Sequence, residues 1–249
     1  GRRHWRLLHA PPPQVVTALE QVFRLNPAAE LRIESVGEDC PVLVVDGFYA
    51  DPEAVRQLAL RGSFDSSLAY YPGLHSHIPA QALTPLFEQL SRLLGTLGTP
   101  GLEPAHFTSD FSIVTTPAAE MLANQKHPHI DGLLVAGVIY LNPHLEIGTC
   151  LFRHLPTGKA MLRTQAEMDE YGAWLRDHGE STQPDSYAVE QDGVWERLHT
   201  LAGRYNRLVM YPGNAFHSID MRDVQAHHTM ETARLTQRLF VRPPVVAEA

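Results

Sequence analysis

A chain of 249 residues, 44% hydrophobic and 19% charged, can bury a full core and lies far from the composition of disordered chains. A formal net charge of −8 with no basic stripe argues against a nucleic-acid partner, because phosphate neutralisation needs clustered Lys and Arg. Two cysteines, Cys40 and Cys150, exclude a disulfide scaffold and show no zinc or redox spacing, and no apolar run reaches bilayer-spanning length.

These features lead us to expect one domain over 1–249 in a reducing cytoplasm, with no membrane partner; nothing in them sets an oligomeric state. The basic start GRRHWR is not followed by a signal-type apolar stretch.

In chain order, His4 to His9 read as a short strand ended by the prolines at 11–13, and QVVTALEQVFRL then has the 3.6-residue period of an amphipathic helix. LRIESV alternates like a strand. PVLVVDGF is a near-continuous β-branched run, which suits a strand buried on both faces. Asp51 followed by Pro52 predicts a capped helix start, with Gly62 as the stop. After a Tyr/Pro/Gly loop at 70–78, AQALTPLFEQLSRLLGTLG predicts a second helix kinked at its proline. Residues 1–104 should therefore buttress a core formed by the rest of the chain.

From 105 to 242 the pattern changes. HFTSDFSIVT, LLVAGVIYLN, TCLFRH, RLVMYPG and ARLTQRLFV are short β-type runs separated by turn residues, the signature of a sandwich or barrel. An insertion at about 157–203 interrupts them, and within it QAEMDEYGAWLRDHG and GVWERLHTLAG both read as helical.

Fourteen histidines are the compositional excess, and their spacing must sort them. HPHIDG puts His129 and Asp131 two residues apart, so an extended backbone projects both from one face. One imidazole and one carboxylate then need a second imidazole to form the facial triad of non-haem iron(II) oxygenases, which leaves three coordination positions open. His217 follows an apolar strand and a Pro-Gly-Asn turn, a route back to a barrel mouth. His227 and His228 compete for the role but lie in a polar stretch with no strand pattern. His75 and His77 share the i, i+2 spacing without a carboxylate and read as loop residues. His127 projects with His129 and reads either as a residue that supports the ligands or faces substrate, or as one simply exposed to solvent; Tyr71 in the Tyr-rich loop reads as a substrate-entrance residue or part of a packed turn. Along RLTQRLF, Arg234, Thr236, Arg238 and Phe240 share one face, and a barrel interior lined by arginine makes sense around an anionic ligand.

Taken in order, HPHIDG, GVIYLN, GTCLF, the strand-turn ending in His217, and RLTQRLFV resemble the prolyl-hydroxylase-like branch of the 2-oxoglutarate and iron(II)-dependent dioxygenases. The resemblance covers about 105–242. It implies a mainly β fold with flanking helices, a double-stranded β-helix of the jelly-roll or cupin-like kind. It implies Fe(II) held by His129, Asp131 and His217, with 2-oxoglutarate and O2 as cosubstrates. Arg234 would bind the distal carboxylate of 2-oxoglutarate, with Tyr140 and Thr236 in support and Arg238 as the rival anchor or a substrate contact.

The implied activity is hydroxylation of a C–H bond in an amino acid, a peptidyl residue or a small metabolite. Asp131 in the carboxylate position leaves no vacancy for a halide and disfavours halogenation. IleGly replaces the usual glycine pair in EIGTCLF, and the insertion widens the gap between Asp131 and His217. The alternatives are a non-catalytic β-helix binding module and a cupin-type metalloenzyme that does not use 2-oxoglutarate; the late Arg234 argues against the second.

Overall fold

The alternating and apolar runs pair into two facing antiparallel sheets in the computed structural model, which describes residues 18–37, 40–66, 72–179, 181–182, 187, 193–221 and 229–244. The short strand expected at His4 to His9 lies outside those residues. The larger sheet holds seven strands: β1 (Glu30–Val36), β2 (Cys40–Asp46), β3 (Leu74–His77), β4 (Phe107–Val114), β5 (Val135–Tyr140), β8 (Arg207–Pro212) and β10 (Arg234–Val241). Their spatial order is β1-β2-β8-β5-β10-β4-β3. The smaller sheet is built from β6 (Thr149–His154), β7 (Trp195–Leu201) and β9 (His217–Ile219), in the order β7-β6-β9.

From β4 onward the chain alternates between the sheets. The segment around His129 bridges to β9 as a further edge of the small sheet. β5 returns to the large sheet, β6 and β7 lie in the small one, and β8, β9 and β10 alternate again. This is a mainly β, jelly-roll or cupin-like fold with few helices, as the sequence leads one to expect.

Strand period two decides what each sheet face meets. In β2, Leu43 and Val45 enter the core beneath the helices, while Val42 and Val44 enter the core between the sheets. In β10, Leu235, Leu239 and Val241 face the helices. The helices are α1 (Ala18–Val22), α2 (Pro52–Leu60) and α3 (Ala80–Thr96). Asp51 caps α2 as expected, accepting a hydrogen bond from the Ala54 amide at 3.0 Å. α3 keeps Pro85 within it and buries the stripe Leu83, Leu86, Phe87, Leu90 and Leu94. Two further helices, α4 (Ala123–Lys126) and α5 (Gln165–His178), lie between strands.

Two expectations are corrected. GVWERLHTLAG is not a helix: its central residues form β7, paired antiparallel with β6 and closing the small sheet. Its charged residues find cross-strand partners, Arg153 and Glu196 meeting at 2.7 Å, and such pairing overrides a helical reading of the local sequence. His75 and His77 lie on β3 rather than in a loop, with His75 buried opposite Ser112.

Candidate metal centre

The site is assembled where the bridging segment meets β9. The His129 amide donates to the His217 carbonyl at 3.0 Å, and the His217 amide donates to the His129 carbonyl at 2.9 Å. This pairing holds residues 129–131 extended, so His129 and Asp131 project together toward His217. The Asp131 amide donates to the Gly213 carbonyl at 2.7 Å, fixing the segment at its other end. Residue 213 must be glycine for this approach, because a Cβ there would lie 2.5 Å from the Leu133 carbonyl oxygen.

One ligand atom from each of His129, Asp131 and His217 lies within 4.8 Å of the others. His217 Nε2 is 3.5 Å from Asp131 Oδ2, and the two imidazole centroids are 4.3 Å apart. Neighbouring donors around an octahedral ion at about 2.1 Å from each are roughly 3 Å apart, so small side-chain adjustments suffice to close on a metal. Two imidazoles and one carboxylate are the donor set of an iron(II) facial triad.

The tautomers suit it too. His217 Nδ1 sits 2.9 Å from the Ala215 carbonyl; the carbonyl only accepts, so Nδ1 donates to it and Nε2 is the ring nitrogen turned to Asp131. The His129 ring stands 4.3 Å from that of His217, centroid to centroid. Burial, and then the neighbouring His217, hold its pKa well below the usual histidine value, which keeps the neutral, metal-binding form.

The three residues line an open cavity that Arg234, Thr236 and Tyr211 also line. Arg234 is 4% exposed. Its Nε and Nη2 donate to the carbonyls of Ile147 and Gly148 at 3.3 and 3.4 Å, and its guanidinium carbon lies 5.7 Å from the Tyr140 ring centroid. No Asp or Glu among the described residues forms an ion pair with it, and burial lowers its pKa. Gly148 makes this arrangement possible, since a Cβ there would meet the Leu201 carbonyl at 1.9 Å. Beside Arg234, the buried Thr236 Oγ1 has no hydrogen-bond partner among the described residues.

A family model described as a family of unknown function (DUF6445) matches residues 27–241. The chain belongs to the DUF6445 family. No curated protein matches it. Among solved structures it is similar to one described as the non-heme alpha ketoglutarate dependent epimerase SnoN from nogalamycin biosynthesis. That likeness has 13% identity, a TM-score of 0.40, and coverage of 83% of this chain and 80% of the other.

In this DUF6445 chain the remaining candidates fall in different places. Arg238 lines the cavity but is engaged by Asp110, its Nε and Nη2 lying 2.8 and 2.5 Å from the two carboxylate oxygens. The antiparallel register of β4 and β10, which sets Asp110 opposite Arg238, makes the pair. Tyr140 stands behind Arg234 rather than in the cavity wall, and its hydroxyl is 2.8 Å from Thr149 Oγ1.

His127 corrects the substrate-facing reading. Its ring is turned away, Nε2 lying 2.9 Å from the Gly179 carbonyl and Nδ1 accepting from Trp195 Nε1 at 3.3 Å. Tyr71, His227 and His228 lie outside the described residues. Sequence reasoning missed Tyr211, whose ring is 4.8 Å from that of His217, and Thr149 in the cavity wall. The signal for Tyr211 was present, because Val209 and Tyr211 alternate onto the inward face of RLVMYPG.

Proposed function

We propose that this protein is a 2-oxoglutarate-dependent, non-haem iron(II) oxygenase that hydroxylates a C–H bond of an amino acid, a peptidyl residue or a small metabolite. The observation that carries the reading is the pairing of two incomplete groups in one cavity. One is a His-Asp-His cluster with the donor set of an iron(II) site. The other is a buried arginine without an acidic partner among the described residues. A buried unpaired guanidinium is costly, and a carboxylate ligand offsets that cost with a bidentate, charge-assisted contact. A compact dicarboxylic keto acid satisfies both groups, one end at the metal and the other at Arg234.

His129, Asp131 and His217 would hold the iron, which when bound supplies the redox chemistry that the side chains lack. Arg234 orients the distal carboxylate, and Thr236 Oγ1 offers a hydrogen bond to the same group. The Ile147 and Gly148 carbonyls hold the guanidinium plane in place before any ligand arrives. Tyr211 packs on His217 and limits its rotation. A binding module without chemistry has no use for an imidazole pair beside a carboxylate, and a cupin-type enzyme independent of 2-oxoglutarate has no use for Arg234.

The test is anaerobic titration of the purified protein with iron(II) and then 2-oxoglutarate. The expected result is a weak visible charge-transfer band that appears only with both present. Iron binding without the band contradicts the cosubstrate assignment, and no iron binding contradicts the site.

A further inference from the structure

Resting on that reading, we propose that α5 is a brace that pre-sets both histidine ligands, with His127 and Trp195 as its positioning residues. The helix begins with a full capping box, Thr164 Oγ1 accepting from the Glu167 amide at 3.2 Å and Glu167 accepting from the Thr164 amide at 3.1 Å. Lys159 adds a 2.9 Å ion pair to Glu167. Yet α5 buries only Tyr171 among its side chains, too little for an element whose purpose is to fill the core.

What it does reach are the neighbours of the two ligands. The Tyr171 ring lies 4.8 Å from that of Phe216, the residue before His217, and Trp195 lies 5.0 Å from the same ring. At the other end of α5, the carbonyl of Gly179 receives His127, two residues before His129.

His127 is held in one tautomer by this geometry. The Gly179 carbonyl can only accept, so Nε2 carries the proton; Trp195 Nε1 can only donate, so Nδ1 is the bare nitrogen. A neutral imidazole satisfies both at once. The consequence passes to the site along the chain, because His127 stands two residues before His129, whose amide and carbonyl pair with those of His217. The segment that carries a ligating imidazole is thus itself fixed by outer partners on α5 and β7. Such outer partners commonly change metal affinity by about 10–100-fold when removed.

The test uses Mn(II) as a redox-silent probe and measures its dissociation constant by calorimetry, with circular dichroism and thermal unfolding on each variant. His127→Phe keeps the ring volume and loses both hydrogen bonds, and should weaken Mn(II) at least about tenfold. His127→Gln places an N–H donor at the reach of Nε2 toward Gly179 and should recover most of that loss. Trp195→Phe removes the indole donor alone and should fall between the two.

A merely structural role would lower the unfolding temperature of these variants equally and leave Mn(II) affinity of the folded protein at the wild-type value, which overturns the brace. If His127→Phe does not fold, Trp195→Phe decides, and wild-type affinity in that variant overturns it too. Failure of the wild-type protein to bind Mn(II) overturns the metal reading along with the brace. Binding that is equal in wild type and all variants overturns the brace alone.

Discussion

Arg207 and Arg234 are two buried arginines on strands of one sheet, 5% and 4% exposed, and they meet opposite fates. Arg207 is neutralised by the protein. Its Nε and Nη2 lie 2.5 and 2.9 Å from the two Asp46 oxygens, and Nη1 donates to the Ala202 carbonyl at 3.3 Å. Asp46 also accepts from Arg32 at 2.5 Å, so this end of the barrel closes on a matched network. Arg234 receives two backbone carbonyls and an aromatic face, and its charge is left standing beside an open cavity. Under the proposed function, the difference separates a charge that holds the fold from one kept for a ligand.

The largest effects should come from the cavity end. His129→Ala, Asp131→Ala and His217→Ala should each abolish iron binding while leaving the circular dichroism spectrum unchanged, since the ligands sit outside the main hydrophobic clusters. His227→Ala and His228→Ala should bind iron as the wild type does. Metal analysis on the purified variants checks both statements, and a reversal would move the distal ligand.

Next in size is a stability contrast, read by urea denaturation of the metal-free protein. Arg207→Met leaves Asp46 partly buried with one partner fewer and should cost about 3 kcal/mol, the low end of the range for breaking a buried pair, because Asp46 is a third exposed. Arg234→Met replaces an unpaired buried charge with an apolar chain of similar length and should cost less than about 1 kcal/mol or be stabilising. Equal losses in the two variants would remove the distinction between the two regions.

A smaller effect is expected at Arg238. Because Asp110 already engages it, Arg238→Ala should weaken 2-oxoglutarate binding by less than about tenfold, against the 2–5 kcal/mol typical of truncating a charged partner of a ligand. The concentration dependence of 2-oxoglutarate binding to the Mn(II)-loaded variant measures it.

The smallest effect concerns pH. Burial alone would raise the Asp46 pKa, but the hydrogen bonds from Arg207 and Arg32 outweigh it and hold the carboxyl below the ordinary aspartate value. A carboxylate depressed in the folded state contributes stability above its unfolded pKa of about 3.9, and that contribution is lost as pH falls through the folded value. Between pH 5 and 3, wild type should therefore lose slightly more stability than Asp46→Asn, by less than about 1 kcal/mol given the solvent exposure of the pair. Parallel pH profiles would show that the Asp46 network adds nothing.

Much of this was legible in the sequence because period and turn chemistry are local. The Asp51–Pro52 start of α2, the apolar β2, and the i, i+2 pair of His129 and Asp131 are read from neighbouring residues alone. What escaped depends on partners far along the chain. Trp195–Leu201 carries residues that suit helix or strand, and pairing with β6 decides between them. Arg238 looks equivalent to Arg234 until the register of β4 sets Asp110 opposite it. His127 shares the face of His129 only if the chain is extended through both. The bend at residue 127 instead turns its ring toward Trp195 and Gly179.

The central claim is that Arg234 waits for the distal carboxylate of 2-oxoglutarate beside a metal held by His129, Asp131 and His217. Calorimetric titration of 2-oxoglutarate into Mn(II)-loaded wild type and Arg234→Met tests it most directly. The account predicts one-to-one binding by the wild type and a loss of about thirtyfold or more in the variant, with Mn(II) affinity unchanged. Equal 2-oxoglutarate affinity in the two proteins, or no binding by the Mn(II)-loaded wild type, would contradict it.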